Sequence, residues 1–143
     1  MEKTFVCSVC GHIEFGAAPQ ACPVCFAAQD KFADTPDAIK PSEKEGKEKH
    51  VPVLVVAKQC GLIPGVCQDV HIKVGSVPHP MTVEHSIQWI DVYLNRVFVA
   101  RYHLTPASLQ AAVGVHFKDD QKGKVAVVEH CNLHGNWMAE SAL

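Results

Sequence analysis

No stretch of this 143-residue chain holds the roughly 18 consecutive apolar residues that a membrane-crossing helix needs, and no apolar h-region follows Met1-Glu2-Lys3-Thr4. Neither a membrane partner nor secretion is expected, and the expected compartment is the cytoplasm. Basic stripes are missing too. The formal charge is −2, and without clustered Lys and Arg there is no electrostatic footprint for a nucleic-acid partner. The chain has no internal repeat and no low-complexity tract. Its first 25 residues carry few large aliphatic side chains, so a hydrophobic core cannot hold that end together.

What that end has instead is thiol. Four of the seven cysteines fall within those 25 residues, as Cys7-Ser8-Val9-Cys10-Gly11 and Cys22-Pro23-Val24-Cys25. A two-residue spacer lets both sulfurs of a pair face one ion, and two such pairs make a tetrahedral four-sulfur site. In a reducing compartment such pairs are ligands rather than disulfides. Residues 1–33 are read as this cysteine module and residues 34–47 as a linker, since they combine two prolines with alternating charge and no apolar period. Residues 48–143 form the second domain.

That second domain has β texture. Residues 51–57, 66–74, 85–94, 97–103, 111–117 and 124–130 are rich in Val, Ile and aromatics and are separated by Gly, Pro, Asn and Asp. Residues 104–112 have the option of starting as a helical turn. Short strands joined by turns predict a mainly β fold, an antiparallel sandwich rather than a parallel sheet with crossover helices.

Three turn-like segments of this domain hold His50, then His79 and His85, then Cys131 and His134. Pro78 and Pro80 bracket His79 and stiffen its loop, and Cys131 and His134 are three residues apart with Gly135 following. Four imidazoles and one thiol are too many ligands for tetrahedral zinc. On a metal such as iron they leave one octahedral position vacant for a small molecule. His12, His71, His103, His116 and His130 have no partner at ligand spacing and are given no ligand role. His130 is the tempting decoy beside Cys131, but strand alternation turns it to the opposite face. Cys60 and Cys67 flank Gly61-Leu62-Ile63-Pro64-Gly65, a hairpin turn. They are read as packed or free thiols, with a cross-strand redox pair as the sharper alternative.

The run from Cys7 to Gly16, with Ala18-Pro19 and Cys22-Pro23-Val24-Cys25, resembles the rubredoxin-like domain of rubrerythrins. The resemblance implies one iron that shuttles single electrons, with zinc an alternative occupant. Phe26 stands where that family usually has glycine. The segments Glu48-Lys49-His50-Val51-Pro52-Val53, Val74 to Met81, Glu84 to Ile90 and Cys131-Asn132-Leu133-His134-Gly135-Asn136-Trp137 resemble the desulfoferrodoxin and neelaredoxin family, the superoxide reductases. This resemblance implies an immunoglobulin-like β-sandwich and a ferrous ion with His50, His79, His85 and His134 around it and Cys131 on its axis. It also implies catalytic roles for Lys49, which draws superoxide in, and for Glu48, a carboxylate for the oxidised ion. An electron donor such as rubredoxin and a homo-oligomer, dimer or tetramer, are expected partners. Familiar desulfoferrodoxins carry a different small iron domain at the front. The rival reading is a non-enzymatic iron protein that only passes electrons.

Overall fold

A computed structural model describes residues 2–143. Internal contacts divide the chain into two compact units, the first ending at Lys40 and the second spanning Pro41–Leu143. The segment expected as linker over 34–47 is partly structured, since Asp34 ends a strand and Lys47 opens a short helix.

The first unit is an antiparallel sheet of β1 (Thr4–Cys7), β2 (Ile13–Phe15) and β3 (Phe32–Asp34) in the order β2-β1-β3. Its two cysteine turns share one backbone pattern. The Gly11 N–H donates to the Cys7 carbonyl and the Phe26 N–H to the Cys22 carbonyl, both at 2.9 Å. Each turn then closes on a left-handed residue, Gly11 at φ 80° and Phe26 at φ 64°. An L side chain in that region costs about 1–2 kcal/mol, and the Phe26 ring recovers little of it by burial, being 80% exposed. Phe26→Gly is expected to stabilise this unit by about 0.5–1 kcal/mol net of glycine's entropy cost. The midpoint for loss of the four-sulfur site's visible absorption in denaturant should rise, and an unchanged or lower midpoint contradicts the assignment of strain.

The second unit pairs a four-stranded sheet, in the order β10-β9-β6-β7, with a three-stranded sheet, in the order β4-β5-β8. The strands are β4 (Pro52–Ala57), β5 (Cys67–Val74), β6 (Ile87–Leu94), β7 (Val97–His103), β8 (Ala112–Lys118), β9 (Lys124–Cys131) and β10 (Gly135–Ala142). All pairings are antiparallel. Alternate residues of β5, β6, β8 and β9, among them Val70, Ile72, Ile90, Val92, Val115, Phe117, Val125 and Val127, meet in one buried core, so the sheets form the expected sandwich. The strand expectation falls short at β10. Gly-Asn-Trp-Met-Ala-Glu-Ser-Ala has little β propensity and is held instead by continuous register along β9, from Gly135 opposite Cys131 to Ala142 opposite Lys124. The stretch after Leu104 makes only a single turn, closed by the Leu109 N–H on the Thr105 carbonyl.

The segments at one end of the sandwich, before β4, between β5 and β6 and between β9 and β10, carry His50, His79, His85 and His134. Helix α1 (Lys47–His50) is one turn long and lies tight against residues 75–77. The Val77 N–H donates to the Glu48 carbonyl at 2.8 Å, and a Cβ at Gly75 would sit 2.7 Å from that carbonyl oxygen. Glycine is therefore required at 75 for α1 to dock where it does.

Candidate metal centres

The four thiols of the first unit converge as their spacing predicts. All four sulfurs lie within 4.8 Å of one another, with Cys7 Sγ 3.7 Å from Cys25 Sγ and Cys10 Sγ 3.5 Å from Cys22 Sγ. Edges of about 3.8 Å follow from tetrahedral metal–sulfur bonds of about 2.3 Å, so the pocket already has the size of such a site. Burial pushes the Cys10 and Cys22 thiols up, whereas the Ala27 N–H holds Cys25 down. The Val24 N–H points at Cys22 Sγ at 3.4 Å and moderates its charge.

In the second unit the four histidines form a closed ring. The centroids of neighbouring imidazoles are 4.9 Å apart for His50 and His79, 4.7 Å for His79 and His85, 5.0 Å for His85 and His134, and 4.9 Å for His134 and His50. Each meets the next edge to face. Cys131, fully buried, belongs to the same cluster: its Sγ and one ring nitrogen each of His50, His79 and His85 lie within 4.8 Å of one another. His134 Nδ1 is 3.6 Å from Cys131 Sγ.

The fit to an ion is written in the hydrogen bonds. His50 Nδ1 donates to the Gly46 carbonyl at 2.9 Å and His79 Nδ1 to the Pro80 carbonyl at 2.7 Å. A carbonyl only accepts, so the proton in each neutral ring sits on Nδ1 and the Nε2 lone pair is left free. The Nε2 atoms of His50, His79 and His85 are buried and have no hydrogen-bond partner. Buried nitrogen without a partner costs about 1–3 kcal/mol each, and a metal bound by all three removes that cost. Burial also lowers the proton affinity of His50 and His85 and brings His79 to about 4, which favours the neutral ring that a metal requires. Burial raises the Cys131 thiol, and the N–H groups of Leu133 and His134 oppose that rise.

Two residues that sequence reasoning gave no role hold this constellation together. Asn132 accepts from the Ser86 N–H at 3.0 Å and donates to the Glu84 carbonyl at 3.0 Å, tying the His85 loop to the β9–β10 turn. Trp137 stacks on His50 at 4.8 Å and donates from Nε1 to the His134 carbonyl at 3.1 Å. Both lie in the stretch Cys131 to Trp137, and that was their only signal. Gly135 at φ 78° closes the turn that carries His134.

Glu48 and Lys49 are exposed on α1. Both act electrostatically on His50, and Lys49 also on His85. His130 faces away, stacked on Trp89 at 4.1 Å. His116, given no ligand role from sequence, does have neighbours of ligand type: Cys60, Cys67 and Asp69.

Comparison with known proteins agrees with this geometry. The desulfoferrodoxin family model matches residues 42–140, and the rubrerythrin rubredoxin-like domain matches residues 5–33. A superoxide reductase of Pyrococcus abyssi is 36% identical over 118 residues, covering 75% of this chain and 96% of its own. A desulfoferrodoxin homolog of Archaeoglobus fulgidus is 34% identical and covers 96% of this chain and 95% of its own. Among solved structures, the superoxide reductase from Treponema pallidum superposes with a TM-score of 0.59 at 27% identity, covering 97% of both chains.

Proposed function

Because this chain belongs to the desulfoferrodoxin family, we propose that it is a superoxide reductase, an oxidoreductase that reduces superoxide to hydrogen peroxide by one electron at a non-haem iron. The observation that carries this reading is the ring of four imidazoles with a buried thiol, three of whose buried nitrogens have no partner. His50, His79, His85, His134 and Cys131 would hold the catalytic iron, and Cys7, Cys10, Cys22 and Cys25 a second iron. Held there, a ferrous ion would supply the electron, with the Cys131 thiolate donating charge to it.

The remaining work falls to side chains. Lys49, whose charge is felt at His50 and His85, attracts a small anion by its local field. Two protons are also needed to release hydrogen peroxide. Glu48, the neighbouring residue on α1, supplies a hard carboxylate oxygen that would hold the ion in its oxidised form. Pro80 and Gly46 carbonyls accept from Nδ1 of His79 and His50, which fixes the tautomer and turns the Nε2 lone pair of each ring toward the ion.

The rubredoxin-like match of the first unit supports electron carriage there, and an external donor such as rubredoxin would supply the electrons. Residues 34–47, which begin in β3 and end at the first residue of α1, join the two domains. A cytoplasmic location fits seven cysteines without a disulfide, and no helix among the described residues is long and apolar enough to cross a membrane. A dimer or tetramer is the expected assembly. The purely electron-carrying alternative finds no support in a site with this donor set and an adjacent exposed cation.

Lys49→Ala is the direct test of anion attraction. Its second-order rate constant for superoxide is expected to fall by about tenfold or more, and its salt dependence to flatten, while the iron absorption stays unchanged. Stopped-flow or pulse-radiolysis kinetics at two ionic strengths read this. An unaltered rate and slope would remove Lys49 from the mechanism.

A further inference from the structure

Outside both centres, Cys60, Cys67, Asp69 and His116 bring one ligand atom each within 4.8 Å of one another. We propose that these four side chains form a third metal site, a closed four-coordinate zinc site that pins the β4–β5 connection to β8.

The distances are those of a ligand shell. Cys60 Sγ and Cys67 Sγ lie 3.3 Å and 3.5 Å from His116 Nδ1, and Cys67 Sγ lies 3.4 Å from Asp69 Oδ1. Tetrahedral bonds of about 2.3 Å to sulfur and about 2.0 Å to nitrogen or oxygen give sulfur–nitrogen and sulfur–oxygen edges of about 3.5 Å. One edge is shorter. His116 Nδ1 and Asp69 Oδ1 are 2.7 Å apart, and must separate by about 0.6 Å for both to bind one ion. His116 is exposed, and a side-chain rotation there is inexpensive.

The backbone around Cys60 is also that of a metal knuckle. The Leu62 and Ile63 N–H groups point at Cys60 Sγ at 3.3 Å and 3.4 Å, the arrangement that the Val24 N–H makes with Cys22 Sγ at 3.4 Å in the four-cysteine site. Such N–H groups stabilise a thiolate rather than a neutral thiol. Strand register supplies the rest, because Asp69 lies directly opposite His116 across β5 and β8. Two thiolates, an imidazole and a carboxylate suit zinc, a borderline-soft ion content with four mixed ligands. With all four positions taken by protein, the site is structural. Its gain is order in residues 58–66, where Leu62, Ile63 and Val66 are exposed and no strand holds the backbone.

The test uses the full chain with iron in its other centres and zinc as the probe, and reads metal content and thiol labelling, neither of which depends on superoxide reduction. After gel filtration, wild type should retain one more zinc per chain than either His116→Ala or the Cys60→Ser, Cys67→Ser double variant. In wild type alone, zinc should protect Cys60 and Cys67 from alkylation, and a mild chelator should expose both, as read by peptide mass mapping. Wild type then suffices even where a variant fails to fold. Equal zinc in the three proteins, labelling of both thiols regardless of zinc, or a Cys60–Cys67 disulfide in zinc-loaded protein would each overturn the proposal.

Discussion

Cys131→Ser is expected to lower superoxide reduction by more than about 100-fold, beyond the range that loss of an outer contact to a metal ligand costs. The sulfur is fully buried beside the imidazole ring, so no solvent thiol or neighbouring side chain can replace it. A serine hydroxyl fits the space but stays protonated at neutral pH and donates far less charge to an ion than a thiolate does. The fold should survive, since Cys131 and serine differ by one atom and the β9–β10 register continues through Gly135. Absorption from the four-sulfur site serves as internal control, because Cys7, Cys10, Cys22 and Cys25 belong to the other unit. Retained activity with that control intact would remove the thiol from the reaction.

Glu129→Gln should have the opposite sign and act on stability. Glu129 lies on β9 opposite Trp137 and Ile90, is fully buried, and neither carboxyl oxygen has a hydrogen-bond partner. Burial pushes its carboxyl up to about 9. The unfolded chain releases this proton near the ordinary value of about 4.3, while the folded chain keeps it. The group's contribution is therefore complete below the ordinary carboxylate range. It falls as pH rises toward about 9, by about 1.4 kcal/mol per pH unit. Glutamine has no such proton. The variant's stability relative to wild type should grow by about 4 kcal/mol between pH 5 and pH 8, measured from denaturant midpoints at the two pH values. A difference that stays flat with pH would mean that Glu129 is ionised and paired in the folded protein.

Legibility of these sites from sequence follows the range over which each is encoded. Cys7, Cys10, Cys22 and Cys25 sit in two local turns, so spacing alone announces their convergence. The histidine ring draws on three segments between His50 and His134, and no local period relates them. Their meeting became legible through the motifs around them, and the same motifs contain Asn132 and Trp137, whose supporting roles emerge only when loops and strands are in place. The third cluster has no such marker. Cys60 and His116 are 56 residues apart, and what joins them is the β5–β8 register, which strand patterns do not specify for strands that are not consecutive. Strand β10 was missed because its residues carry weak propensity and its order comes from β9. Glu129 was passed over because a charged residue in an alternating strand reads as solvent-facing, whereas β9 is buried on both faces from Val125 to Glu129.

The most direct test of the account is the product stoichiometry of the iron-loaded full chain supplied with superoxide and a reducing donor. Reduction at the imidazole ring predicts one hydrogen peroxide and one donor electron per superoxide consumed, with no oxygen evolved. Half as much peroxide accompanied by oxygen, independent of the donor, would contradict it.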